Sequence, residues 1–271
     1  EILIGLVGSE MCIRDSPLHH PACEKEKKEG AARMTASQKK RLRIAAALLF
    51  LLGLGLVCYP VLSNWARNTL QSIDSQRYGS EQSQPNPSAD ASLEELYRQM
   101  QAYNKRLYSE GQKLTDPFAY EQPSFDLKQF GLPDNIVGYL SIPKLGVQLP
   151  VYLGASRENL RKGAAHLSQT SLPIGGADTN AVIAAHRGLA SQEMFLHIDQ
   201  LEEGDEVTLS NFREVLHYRV TDTEIIAPDE MQKVLIQPGR DLLTLVTCHP
   251  YPTTRQRYLV YCERVKEPAA K

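Results

Sequence analysis

The distribution of apolar and polar positions changes character several times along this chain. Ile44 to Leu62, "IAAALLFLLGLGLVCYPVL", has no charged residue in 19 positions. As a helix it would be ~28 Å long, close to the thickness of a hydrocarbon core. Ser72 to Asp90 is polar, rich in Ser, Gln and Pro, and reads as a flexible stalk. Leu93, Leu96, Met100, Tyr103 and Leu107 then recur at helical spacing. They predict one amphipathic helix, with Ser92 as its N-cap and Glu95 three residues on. Beyond Pro133 the period shortens to that of strands. "IVGYLSI", "VQLPVYL", "NAVIAA", "DEVTLSN", "VLHYRVTDTEII", "DLLTLVT" and "RYLVYCE" are seven short runs bounded by turn residues. Between them only Glu158 to Lys162 and Ser191 to Ile198 look helical. Many short strands without long helical crossovers predict a mainly β domain, closed or sandwiched.

These patterns divide the chain. Residues 1–33, beginning "EILIGLVGSEMCIRDSPLHH", show no clear periodicity and read as an upstream translation, with the natural start at Met34. Residues 34–43 form a basic segment carrying Lys39, Lys40, Arg41 and Arg43, and residues 44–62 a transmembrane helix. A cleaved signal peptide is the competing reading, but the apolar stretch is long for one and no A-x-A-like site follows. The basic flank places the N-terminus in the cytoplasm and everything after Trp65 outside. Residues 63–90 are a linker, 91–129 a helix and loop, 130–265 the β domain, and 266–271 a polar tail.

A net charge of -2 gives no reason to expect nucleic acid as a partner. The five cysteines are scattered, without the Cys/His spacing of a zinc site, and no acidic cluster demands calcium. No metal or cofactor is expected.

The stretch "LLTLVTCHPYPTTRQRYLVYCER", Leu242 to Arg264, contains two of the predicted strands. If Leu242–Thr247 and Tyr258–Glu263 pair as a hairpin, Cys248 and Arg257 stand side by side at its mouth. The same register puts Cys262 opposite Leu243, roughly 16 Å from Cys248 at ordinary strand rise. A disulfide needs Cα atoms within about 7 Å, so Cys248 is expected to be a free thiol. Free thiols are uncommon outside the cell, and one beside a cation is a nucleophile candidate. The plainer alternative is a buried cysteine in an ordinary β domain, with Arg257 as an ion-pair partner.

A thiol nucleophile needs a proton-transfer partner, usually histidine. His217 lies inside a predicted strand, where a structural role is favoured. His249 adjoins Cys248 but falls in the predicted loop from His249 to Gln256, and consecutive side chains point apart. His166 and His197 have no special setting. His186 ends the run "NAVIAA" and so also stands at a strand mouth; the pattern favours it without eliminating the others.

"TLVTC" at Thr244–Cys248, with Arg257 nine residues on, resembles the signature of sortases. "AAHRGL" at Ala184–Leu189 resembles the segment that carries the sortase histidine. The similarity extends through "GYLSIPKLGVQLPVYLGAS", "GAAHLSQTSLPIGG" and "EEGDEV", covering about Phe130 to Arg264. It implies a closed β-barrel of about eight strands with short helices, preceded by the transmembrane helix and a lid loop. It further implies a cysteine transpeptidase acting on LPxTG-like sorting signals. Cys248 would be the nucleophile and His186 the proton carrier. Arg257 would hold the substrate backbone and the oxyanion, and Thr247 would support the site.

"HRG", "TSLPIGG" and Asp116-Pro117-Phe118 resemble the pilus-assembling class C sortases. In that group the last motif is a lid: Asp116 would pair with Arg257 while Phe118 covers Cys248. The partners implied are pilin or surface proteins bearing sorting signals, at the outer face of the cell membrane. The alternative within the family is a housekeeping sortase that joins surface proteins to a cell-wall precursor. Many class C members carry a second anchor after the barrel, whereas this sequence ends "RVKEPAAK". Outside the family, a secreted cysteine protease or a non-enzymatic adhesin are the competing classes.

Overall fold

The computed structural model describes residues 35–82, 87–112, 114, 126–132, 135–189 and 192–265. Residues 1–33, the 266–271 tail, and both Asp116 and Phe118 of the expected lid lie outside the described residues. By contacts the chain divides into two units, Glu1–Gly55 and Leu56–Lys271.

Helix α1 runs from Ala36 to Gln82. Its Ala36–Tyr59 portion contains an 18-residue window with a mean hydropathy of 2.2 and is long and apolar enough to cross a membrane. Leu48, Leu49, Phe50, Leu51 and Leu52 are all exposed. Five consecutive positions cover the full circumference of a helix, so this part is apolar all round, as a lipid-facing segment must be.

The helix does not stop at Leu62, as the predicted linker requires. Val61 to Gln82 contains no proline, and extending a formed helix costs little per residue, so α1 continues through polar sequence. Helix α2, Pro87–Glu110, likewise begins earlier than predicted, so Ser92 lies inside it rather than capping it. Proline suits a first helical position because its missing N–H would have had no partner there. The predicted apolar face is present: Leu96, Met100 and Leu107 are buried, with Leu93 and Tyr103 partly buried against the core.

Eight strands follow: β1 (Ile136–Ile142), β2 (Val147–Leu153), β3 (Ala164–His166), β4 (Thr179–Ala184), β5 (Glu206–Asn211), β6 (Val215–Ile226), β7 (Asp241–His249) and β8 (Gln256–Arg264). They close a barrel in the order β1-β2-β3-β4-β7-β8-β6-β5. The β2–β3 and β4–β7 pairs are parallel and the others antiparallel. Seven of the eight match the predicted runs. The missed strand, β3, has only three residues, too few to display alternation. Of the two short helical segments expected, Glu158–Lys162 falls in α3 (Arg157–Lys162), capped by Ser156. The other is mostly turn, and the 3₁₀ helix Ile198–Gln200 begins only at its last residue.

Alternation along the strands makes two cores. Leu140, Val151, Ala164, Ile183, Val207, Val220, Leu245 and Val260, one from each strand, point into the barrel. Ala165, Val182, Ala184, Val246 and Leu259 face outward from the β3-β4-β7-β8 wall. There they are covered by Leu160 of α3 and by Met231 and Val234 of the β6–β7 connection.

Candidate active site

Continuing the outward-facing set by two residues along each of three neighbouring strands reaches the candidate residues. From Val246 the next position on β7 is Cys248; from Leu259 on β8 it is Arg257; from Ala184 on β4 it is His186. Cys248 and Arg257 are direct cross-strand partners. The β4–β7 register pairs Ala184 with Val246, and the Ala185 N–H still donates to the Val246 carbonyl just beyond the strand. The next step of that register sets His186 level with Cys248. The three residues therefore form one row across the end of the wall.

Their settings differ. Cys248 is buried, 8% exposed, and is not in a disulfide. Cys262 is opposite Leu243, as the hairpin register predicts, and is also a free thiol; burial raises its pKa. Arg257 is 4% exposed, and its Nη1 donates to the carbonyls of Thr254 and Gln256 at 2.9 Å each. Those two bonds from its own loop fix the direction of the guanidinium. His186 is half-buried, which lowers its pKa. The Phe195 N–H donates to the His186 carbonyl at 3.1 Å, and Gly188, at φ +87, turns the chain after it. The Thr247 hydroxyl donates to the Ala185 carbonyl at 2.8 Å, tying β7 to the β4 extension one residue before the row.

The other histidines stand elsewhere. His166 is fully buried and donates from Nε2 to the Ser171 carbonyl at 2.9 Å; burial holds its pKa at about 4. His197 is exposed beside the short 3₁₀ helix. His217 pairs with Thr208 on β5, well along β6 from the Ile226 position that meets Arg257. Among the described residues no group of three His, Cys, Asp or Glu could hold a metal ion.

A profile of the family described as "Sortase domain" matches residues 140–265. The solved structure of Streptococcus pneumoniae sortase C is similar at a TM-score of 0.65 and 34% identity, covering 73% of this chain and all (100%) of that one. The chain belongs to the sortase family. A pilus-related sortase C of group B Streptococcus is similar at a TM-score of 0.62 and 31% identity, over 71% of this chain and 97% of that one. Sortase A of Bacillus anthracis is 30% identical over 148 residues, 55% of this chain and 66% of that protein. Sortase D of Bacillus subtilis is 29% identical over 133 residues, 47% of this chain and 63% of that protein. Those two alignments thus each span less than two thirds of the relative's own length. The solved structures to which this chain is similar are class C, pilus-related sortases.

This sortase has a second row that the sequence did not reveal. Each residue of the outer row has a chain neighbour on the inner face: Arg187 after His186, His249 after Cys248, Tyr258 after Arg257. Arg187 Nη1 donates to His249 Nδ1 at 2.6 Å, and its Nη2 pairs with Asp199 at 2.7 Å. Its guanidinium carbon lies 5.5 Å from the centre of the Tyr258 ring, and the His249 and Tyr258 rings are 5.7 Å apart. Because Arg187 only donates, His249 carries its proton on Nε2. Burial lowers the His249 pKa, the Arg187 charge lowers it further, and Asp199 opposes them. The available signal was the parallel register: "HR" at 186–187 and "CH" at 248–249 are aligned residue for residue.

Proposed function

We propose that this chain is a membrane-tethered class C sortase, with Cys248, His186 and Arg257 as its catalytic residues. The observation that supports this most is the row the three residues form at the open end of the outer wall. The Cys248 thiolate would attack the Thr carbonyl carbon of an LPxTG-like signal. As the Thr–Gly bond breaks, His186 would give a proton to the departing Gly amine. Arg257 would stabilise the negative oxygen of the tetrahedral intermediate, a contribution commonly of a few kcal/mol. The thioester left on Cys248 would then be attacked by a pilin lysine amine. His186 would take up that amine's proton, and Cys248 would leave as thiolate. One amide is broken, one is made, and no water is consumed.

Half-burial lowers the His186 pKa, so the charged ring gives up its proton more readily to the departing amine. The apolar, exposed part of α1 from Ile44 to Tyr59, preceded by Lys39, Lys40, Arg41 and Arg43, would anchor the protein with its barrel on the outer face of the cell membrane. The names of the similar solved structures, sortase C and pilus-related sortase C, support pilus polymerisation over cell-wall anchoring. By the same resemblance, Asp116 and Phe118 would form a lid over Arg257 and Cys248.

A competition assay tests the reading. The full chain in detergent is given an LPxTG peptide with equal amounts of a pilin-lysine peptide and a cell-wall-precursor amine. Amide formation chiefly with the pilin lysine is expected. Joining only to the precursor amine would make it a housekeeping sortase, and hydrolysis alone would make it a protease.

A further inference from the structure

We infer that Arg187 is a positioning residue that sets the relative heights of His186, Cys248 and Arg257; this rests on the sortase reading of the row. Cys248 and Arg257 pair across β7 and β8, but His186 lies two residues beyond the end of β4, past the last β4–β7 pair. On the outer face they must leave room for a substrate, so little there can tie them together. On the inner face one guanidinium reaches the chain neighbours of all three. It belongs to the residue after His186, donates to the residue after Cys248, and lies over the ring of the residue after Arg257. Asp199 fixes its remaining direction. The loop after β4 delivers that carboxylate by folding back, through the Leu189–Gln192 bridge and the bond from the Phe195 N–H to the His186 carbonyl.

Stability alone does not explain this arrangement. The Arg187 side chain is 6% exposed while Asp199 is 48% exposed, so a buried cation is paired with a partly solvated anion. The Arg187 Nε is buried and finds no partner among the described residues. Replacing a whole buried ion pair by apolar side chains of similar volume is often neutral or stabilising, so such a pair is weak evidence that it is there for stability. What an apolar side chain cannot do is hold Asp199, His249 and Tyr258 in fixed directions at once. The fork of a guanidinium can, and an ammonium, which presents a point charge, does so only in part.

The test uses Arg187→Met and Arg187→Lys in the full chain, with two readouts. One is transpeptidation of an LPxTG peptide. The other needs no substrate: the rate at which iodoacetamide alkylates Cys248 as a function of pH, with His186→Ala as the reference for an uncoupled thiol. Arg187→Met should reduce kcat by roughly tenfold to hundredfold, the scale of a misplacement near 1 Å, with KM within about twofold. Its alkylation profile should move toward that of His186→Ala, and Arg187→Lys should lie between. A wild-type profile and kcat in Arg187→Met overturn the inference. So does a loss of kcat with an unmoved profile, which places the effect on substrate. If Arg187→Met does not fold, the Arg187→Lys profile decides in the same way. A wild-type chain that never transfers peptide, while Arg187→Met still moves the profile, defeats the sortase reading and leaves the positioning role standing.

Discussion

His186 stands level with Cys248 although it lies beyond the end of its own strand. The pairing that joins Ala184 to Val246 continues through the Ala185 N–H, and Arg187 reaches His249 at 2.6 Å with the same offset of 62 residues. A histidine beside a thiol at the end of a parallel pair, with an arginine on the thiol's other side, unites one local hairpin with a segment some 60 residues earlier in the chain.

His186→Ala and Arg257→Ala should each lower kcat by about two to four orders of magnitude, the range seen for loss of a general acid–base or an oxyanion donor. Their effects on stability should differ. His186 is half-buried and can be removed at little cost. Arg257 holds two loop carbonyls, so Arg257→Ala should also lose about 1–2 kcal/mol of unfolding free energy. His217→Ala should retain activity within about twofold, since His217 is roughly 25–30 Å along β6 from the row. Steady-state kinetics and thermal melting check all three; an inactive His217→Ala beside an active His186→Ala would reassign the histidine.

His166 makes a separate prediction about acid stability. Burial holds its folded pKa at about 4, below its ordinary 6.5. As pH falls through 6.5 the unfolded chain takes up a proton that the folded chain refuses until pH 4. Its contribution is therefore full above pH 6.5, declines across that window, and falls no further below it. The loss amounts to ~3 kcal/mol at 1.36 kcal/mol per pKa unit. His166→Gln retains a donor for the Ser171 carbonyl but does not titrate. The gap in unfolding free energy between the two proteins should change by about that amount between pH 7 and pH 4. Urea unfolding followed by tyrosine absorbance measures it; a gap constant with pH would refute the account of His166.

Much of this was legible beforehand, and the limits have physical causes. The Cys248–Arg257 and Leu243–Cys262 pairings followed from one antiparallel register, because the Leu242–Arg264 hairpin is local in sequence. β1, β2 and β6 have the predicted bounds because apolar runs and turn residues frame them. β3 pairs in parallel with β2 over three residues, so nothing in its own sequence announces a strand. The extension of α1 past Leu62 was missed because polar composition was read as loss of structure, whereas without proline a helix can run on. Arg187 was passed over because its partners, Asp199, His249 and Tyr258, come from three separate segments. Only a β4–β7 register, which no local pattern specifies, brings them together.

The proposed lid predicts a change in thiol access. A few loop contacts open at low free-energy cost, so a covered Cys248 would be reached only through transient opening. Asp116→Ala with Phe118→Ala should accelerate alkylation of Cys248 by a small reagent, and should raise activity on peptides that the lid does not help to position. An unchanged alkylation rate would remove the lid from the account and weaken the class C assignment with it.

On the proposed function Cys248, with His186 and Arg257 beside it, forms a thioester that is passed to an amine. Intact-mass spectrometry of the full chain mixed with an LPxTG peptide tests it most directly. The wild type should gain the mass of the peptide through its Thr, localised to Cys248, and lose it when a lysine amine is added, with the peptide recovered on that amine. Cys248→Ala should keep its fold and gain no mass. An adduct that persists in Cys248→Ala, or a wild-type chain that remains unmodified while the peptide is cleaved, would contradict the claim.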